Sequence, residues 1–158
     1  MKAILPIAVL TLALVTQATP DFSGRWTFDR DKTMQPDAEG RVVLAAMLGD
    51  EFVALQNTKS LTLRITFNGE TVVAVYDLTG AESENLSPGD ISVKSRARWE
   101  GEKLVIESTS ESTETGRRVT IHTTRVIWID KAGDLIIERS GTPATQVTPS
   151  RSVYRRVH

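Results

Sequence analysis

The sequence has 158 residues, the length of one domain, and it contains no cysteine, which excludes a disulfide framework and a lipid-attachment cysteine. Its 19 basic and 20 acidic residues give a net charge of −1, with no basic patch along the chain. This balance argues against a nucleic-acid partner.

The first 18 residues have the pattern of a secretory signal peptide. Lys2 supplies a positive charge, residues 3–15 are almost wholly apolar, and Ala18 ends a stretch suited to cleavage. The apolar run is too short to span a bilayer, so no membrane anchor is expected. We therefore expect an exported protein, periplasmic or secreted, whose mature domain covers residues 19–158. Loss of Lys2 makes its net charge about −2.

The mature chain opens with a predicted strand over residues 22–29, in which alternate residues are aromatic or glycine. A polar turn is expected at residues 29–33. Residues 37–48 then predict one short helix, because Asp37 is suited to cap it and Gly49 to end it. Its apolar residues recur at helical spacing, so we expect this helix to cover one end of the fold.

Eight more strands are predicted after the helix, and adjacent strands are joined by short turns. The clearest turn is Asn68-Gly69, since both central residues of a type I′ hairpin need positive φ. Residues 79–90 are rich in Gly, Ser, Glu and Asn and predict a loop. The nine strands are expected at residues 22–29, 51–56, 60–67, 71–78, 91–99, 104–112, 119–129, 135–139 and 152–157.

An antiparallel meander of about nine strands has two free edges, and closure into a barrel removes them. The fold class predicted is therefore all-β: an antiparallel up-and-down meander closing into a barrel, with one short helix after the first strand. A closed or nearly closed barrel is favoured over a two-sheet sandwich.

Three short motifs resemble a known group. They are Phe22-Ser23-Gly24-Arg25-Trp26, the WEGxxL pattern that begins at Trp99, and the terminal Val153-Tyr154-Arg155-Arg156. Together they resemble small secreted bacterial lipocalin-like proteins of unknown function. The Gly-x-Trp pair is similar to the calycin signature, in which a tryptophan closes one barrel end beneath a basic side chain.

The resemblance implies that Gly24 and Trp26 belong to the closure of the barrel. We expect Trp26 to be buried, with an arginine from one of the last strands stacked on its indole. Arg155 is the first choice for this arginine and Arg139 the second. The resemblance implies a lipocalin-like barrel and a ligand, and it implies no reaction.

Aromatic residues are the best candidates for a ligand pocket, because Trp and Tyr combine an apolar body with one donor. Tyr76, Trp99 and Trp128 are the candidates, together with His122 if its face of the strand is interior. The alternative is that these side chains simply fill the barrel, and that His122 is a structural or surface residue.

No catalytic motif is present, since the chain has neither a Gly-x-Ser-x-Gly elbow nor a phosphate loop. Glu107 and Glu138 could serve acid–base chemistry only if one cavity held both. The two histidines, His122 and the terminal His158, do not make a metal site without cysteine. We expect no catalytic activity, no cofactor and no metal.

Two functions remain open. One is a non-enzymatic barrel that holds a small apolar ligand in its cavity. The other is a filled barrel that acts as a protein–protein or envelope interaction module. An interior void of a few hundred Å³ favours the first, and a filled interior with an exposed apolar patch favours the second.

Overall fold

The computed structural model of the protein describes residues 19–33, 47–67, 69–87 and 89–158, with all side chains there except those of Phe67 and Glu114. These residues form ten strands and one short helix. In chain order they are β1 (Gly24–Phe28), α1 (Arg30–Thr33), β2 (Glu51–Gln56), β3 (Ser60–Phe67), β4 (Glu70–Asp77), β5 (Glu82–Ser87), β6 (Ile91–Glu100), β7 (Lys103–Glu114), β8 (Arg117–Ile129), β9 (Leu135–Thr142) and β10 (Ser150–Val157).

All ten strands belong to one antiparallel sheet in the order β4-β3-β2-β1-β10-β9-β8-β7-β6-β5. Sequence neighbours pair with each other except β4 and β5, and β1 also pairs with β10, so the first and last strands meet in the middle of the sheet. The two edge strands, β4 and β5, lie beside each other and make the barrel nearly closed. The predicted fold class, an antiparallel meander that closes into a barrel with one short helix after the first strand, is confirmed.

The tenth strand is β5, which lies in the region predicted to be a loop. Its sequence, ESENLS, has no β-branched or aromatic residue, so nothing in its composition indicated a strand. Pairing with β6 decides its structure: residues 82–87 lie opposite residues 91–96 in unbroken register. The prediction of a loop over residues 79–90 is therefore wrong for these six residues.

The helical prediction needs two corrections. The polar turn expected after the first strand is the short helix α1, and Asp29 caps it by accepting a hydrogen bond from the backbone N–H of Lys32 at 3.0 Å. The helix predicted over residues 37–48 lies outside the described residues except at its end. There Met47 and Leu48 form a turn rather than helix, and Leu48 is buried.

Period-two alternation places one face of each strand inside the barrel. In β3, Leu61, Leu63 and Ile65 are buried, whereas Arg64 between them is exposed. The largest fully buried aromatic side chains are Trp26, Tyr154, Phe22 and Phe52. Each large apolar side chain buried in this way contributes about 1.5–3 kcal/mol to stability, so the interior core holds the sheet in its closed form.

Residues 47–49 are attached to the barrel by the hydroxyl of Tyr154 on β10. It accepts a hydrogen bond from the backbone N–H of Leu48 at 2.9 Å and donates one to the carbonyl of Gly49 at 3.2 Å. Burial raises the pKa of Tyr154 well above its usual range. The described part of the chain contains no helix long and apolar enough to cross a membrane.

Candidate functional site

The joint between β1 and β10 is built around Trp26. Its side chain is completely buried, and its indole N–H donates a hydrogen bond to the carbonyl of Phe22 at 2.8 Å. The guanidinium carbon of Arg156 lies 4.5 Å from the centre of the indole ring. That guanidinium also donates hydrogen bonds to the carbonyls of Ser23 at 2.5 Å and Asp21 at 3.2 Å. One arginine therefore joins the last strand to the start of the first.

Gly24 makes room for this arginine. Its φ of +138° lies in the region that favours glycine, and a Cβ there would lie 3.0 Å from a terminal nitrogen of Arg156. The spacing of Gly24 and Trp26 thus has a physical reason: the tryptophan supplies the ring and the glycine leaves space for the cation above it.

The structure corrects the choice of arginine at Trp26. Register places Arg156 directly opposite Trp26, whereas Arg155 lies opposite Thr27 and therefore on the outer face. Arg155 instead pairs with Asp29, the cap of α1, at 3.1 Å. Arg139 lies on β9 opposite Arg125 of β8, away from this joint. Neither Arg155 nor Arg139 is the closing cation.

The opposite side of the barrel is held differently, because side chains rather than a backbone ladder bridge β4 and β5. The side-chain amide of Asn85 accepts from the backbone N–H of Val75 at 2.7 Å and donates to its carbonyl at 2.9 Å. The hydroxyl of Ser83 accepts from the backbone N–H of Asp77 at 2.7 Å. Asn85 therefore takes the place of a missing strand partner at this seam.

A cavity of about 170 Å³ lies inside the barrel beside this seam. It is smaller than a typical drug-sized site of about 300–1,000 Å³, and it is close to an engineered apolar cavity of about 150 Å³ that admits benzene. Most of its lining is apolar and comes from Met47, Leu48, Ile65, Val72, Ala74 and Val93. The cavity therefore suits a small apolar group.

Polar groups gather at one side of the cavity. Arg125 reaches its lining from β8, and its guanidinium donates a hydrogen bond to the hydroxyl of Tyr76 at 3.2 Å. Arg139 does not itself line the cavity, but it lies directly opposite Arg125 on β9, on the same interior face as the buried pair Ile127 and Ile137 two residues away. Burial, and secondarily the positive charge of Arg125, lower the pKa of Arg139.

No carboxylate among the described residues pairs with Arg125 or Arg139. Two positive charges therefore lie together in a partly buried interior without a described counter-ion, which is the arrangement expected of a site for an anion.

Two buried serines lie on the same interior face as Arg125, since Ser108 is two residues beyond Ile106, the residue of β7 opposite Arg125. Ser95 of β6 and Ser108 of β7 are opposite each other and 3% and 5% exposed. Their hydroxyls form one mutual hydrogen bond of 2.9 Å, and Ser95 also lines the cavity. Only one of the two hydroxyl protons is used in that bond, so the pair keeps one donor for another acceptor.

The predicted ligand-binding residues are dispersed. Tyr76 lines the cavity, and Trp99 is interior but packs on Phe22 with ring centres 5.5 Å apart, where it fills one end of the barrel. Trp128 lies on the outer face, with the ammonium of Lys103 4.4 Å from its ring centre. The structure thus places one of the three predicted aromatic residues at the cavity.

His122 is exposed on the outer face of β8, where its Nδ1 lies 3.2 Å from the hydroxyl of Thr109. It borders an open outer groove of about 470 Å³ across β6, β7 and β8. The charges of this groove are largely paired, as in the contact of 3.5 Å between Arg96 and Glu82. We therefore give the groove no binding role, and the interior placement considered for His122 is wrong.

The carboxylates considered for acid–base chemistry do not converge. Glu107 and Glu138 both lie exposed on the outer face, the first 2.8 Å from Arg98 and the second 3.8 Å from Arg151. Exposed ion pairs of this kind contribute about 0–1 kcal/mol and are ordinary surface features. They provide no shared pocket for catalysis.

Comparison with solved structures finds the same fold. The structure of apo lipid binding protein 8 from Caenorhabditis elegans superposes with a TM-score of 0.57 over 86% of this chain and 95% of that one. The chain has a calycin-type barrel fold. Sequence identity in this superposition is only 11%, so the likeness concerns the fold alone. No protein-family model matches the sequence, and no curated protein matches it significantly.

Sequence reasoning missed Arg125, the residue that gives the cavity its charge. The strand β8 carries apolar residues on both of its faces, so its sequence alone does not say which face is interior. The one available signal was that Arg125 shares the period-two face of Ile127 and Ile129. That face is known to be interior only once the pairing of β8 with β9 is known.

Proposed function

We propose that this protein is a non-enzymatic carrier that binds a small apolar ligand with an anionic head inside its barrel. The observation that carries the proposal is the apolar cavity with Arg125 and Tyr76 on its wall. An apolar tail would occupy the cavity, and the head would meet Arg125 and Arg139. A few placed polar groups in an apolar pocket are the usual composition of a small-molecule site.

The fold supports the proposal without deciding it. A calycin-type barrel shared with a protein whose name states that it binds lipid is compatible with an apolar ligand here. The site requires no cofactor and no metal, because binding uses only side chains of this chain. The signal-peptide pattern of residues 1–18 supports export, so we propose a periplasmic or secreted carrier.

Isothermal titration calorimetry with octanoate tests this function. We expect octanoate to bind the wild type, and we expect Ala74→Phe to abolish binding because Ala74 is 7% exposed and lines the cavity. Val73→Phe is the matched control, since Val73 is the preceding residue on β4 and faces solvent. Equal binding by both variants would show that octanoate does not enter the cavity.

The second candidate, an interaction module, is favoured by one observation. The outer faces of β2 and β4 carry exposed apolar side chains, with Leu55 49%, Val73 48% and Val75 43% exposed. Exposed apolar patches mark contact surfaces in many soluble proteins. If no apolar ligand binds the wild type, this surface becomes the better basis for a function.

A further inference from the structure

The interior polar groups are unbalanced in favour of donors. Arg125 has five N–H groups, and its one described hydrogen bond goes to the hydroxyl of Tyr76. The proton of that hydroxyl, and all five N–H groups of Arg139, have no acceptor among the described residues. A ligand head that fits this wall must therefore supply acceptors and no donors.

Positive charge is in excess among the same interior groups. Arg125 and Arg139 contribute two positive charges, and no described carboxylate neutralises either of them. A head with a single negative charge would leave one guanidinium uncompensated once the ligand has displaced water from it, and such a charge is costly to bury. A head with two negative charges would compensate both.

Placement permits one group to meet both arginines. Arg125 and Arg139 are direct cross-strand partners, and neighbouring side chains on one face of a pair have Cβ atoms about 4.5–5.5 Å apart. The pair Ser95 and Ser108, with its spare hydroxyl proton, lies on the same interior face, because Ser108 is two residues beyond Ile106, the residue opposite Arg125. Guanidinium forks bind carboxylate and phosphate oxygens in a bidentate manner, and phosphate offers three such oxygens.

We infer that the head of the ligand is a phosphate monoester, a tetrahedral dianion held between Arg125 and Arg139 beside the hydroxyls of Ser95 and Ser108, with its apolar chain in the cavity. This inference rests on the proposed function and names its ligand class. A phosphate monoester carries nearly two negative charges above its second pKa of about 6.

Calorimetry on the wild type at about pH 8, in a phosphate-free buffer, tests the head group. The probes share one chain: octyl phosphate is the dianion, octanoate and octyl sulfate are monoanions, and octanol is neutral. We expect octyl phosphate to bind at least about tenfold more tightly than octanoate or octyl sulfate, because a second charge meets the second arginine. Inorganic phosphate, which lacks the chain, is expected to bind more weakly than octyl phosphate.

Each other outcome is decisive. Equal affinity for octyl phosphate and octanoate would overturn the dianion while leaving the apolar carrier in place. Equal affinity for octyl phosphate and octyl sulfate would show that the number of oxygens matters rather than the charge, which also overturns it. Inorganic phosphate binding as tightly as octyl phosphate, or no binding by any octyl compound, would refute the proposed carrier itself.

Substitutions locate the effect. Arg139→Gln should remove the preference for octyl phosphate over octanoate and leave octanol binding unchanged. Arg64→Gln is the matched control, because Arg64 is exposed on the outer face of β3. A preference that survives in the Arg139 variant, or disappears in the Arg64 variant, would place the phosphate elsewhere. The probe comparison on the wild type stands even if a variant fails to fold.

Discussion

Replacing Trp26 with alanine tests the joint that closes the barrel between its first and last strands. The side chain is 0% exposed, and truncating a buried tryptophan to alanine costs about 3–5 kcal/mol. The change also removes the ring beneath Arg156 and the donor to the carbonyl of Phe22, whose loss adds about 1 kcal/mol or more. We expect a total of about 4–6 kcal/mol, much of the roughly 5–15 kcal/mol available to a domain of this size.

Trp128→Ala is the matched control, because Trp128 also has a cation over its ring but lies half-buried on the outer face. Its loss should cost about 1–2 kcal/mol, since only part of its surface is buried and an exposed cation–π pair contributes about 0.5–1 kcal/mol. Urea unfolding followed by far-UV circular dichroism measures both variants. If Trp26→Ala costs no more than Trp128→Ala, the role assigned to the joint is wrong.

Three further predictions concern single residues. Gly141→Ala should destabilise the protein by several kcal/mol in urea unfolding, because its Cβ would lie 2.1 Å from the backbone oxygen of His122. Burial raises the pKa of Tyr154 above its ordinary value of 10.0, so the stability it provides is complete below about pH 10 and is lost as pH rises further. The urea midpoint should therefore fall above about pH 10 more steeply in the wild type than in Tyr154→Phe. Asn85→Ala should open the β4–β5 seam and speed hydrogen exchange at the amide of Val75.

A specific result would contradict each of these three predictions. A stable Gly141→Ala variant would mean that β8 and β9 separate at little cost. If the urea midpoint falls equally with pH in the wild type and in Tyr154→Phe, groups other than Tyr154 control the stability at alkaline pH. Unchanged hydrogen exchange at the amide of Val75 would mean that the seam does not depend on Asn85. Asn57→Ala, which alters the turn before β3, is the control for a general loss of stability.

The strand pattern was predictable wherever alternation was clean. In β3 the sequence places Leu61, Leu63 and Ile65 on one face, and burial follows that order. Gly24 and Trp26 were identified through the resemblance of the Gly-x-Trp pair to a barrel-closing signature, and a positive φ and a buried ring both limit the residue types allowed there. These features depend on residues close together in the sequence, so they can be predicted from the sequence alone.

Features that depend on pairing could not be predicted in this way. Arg155 and Arg156 are adjacent, and only the register with β1 decides which of them faces Trp26. The strand β5 has a loop-like composition and exists because β6 lies beside it. The interior position of Arg125 required both neighbours of β8. Each depends on contacts between residues distant in sequence, which a single sequence does not display.

The most direct test of the carrier is to locate the chain of a bound ligand by intermolecular nuclear Overhauser effects between octanoate and the methyl groups of the protein. If the ligand chain lies in the cavity, contacts are expected to methyls that line it, foremost those of Ile65 and Val72. Contacts confined to the exposed outer methyls of Leu55 and Val75, or no contacts at saturating octanoate, would contradict the proposed carrier.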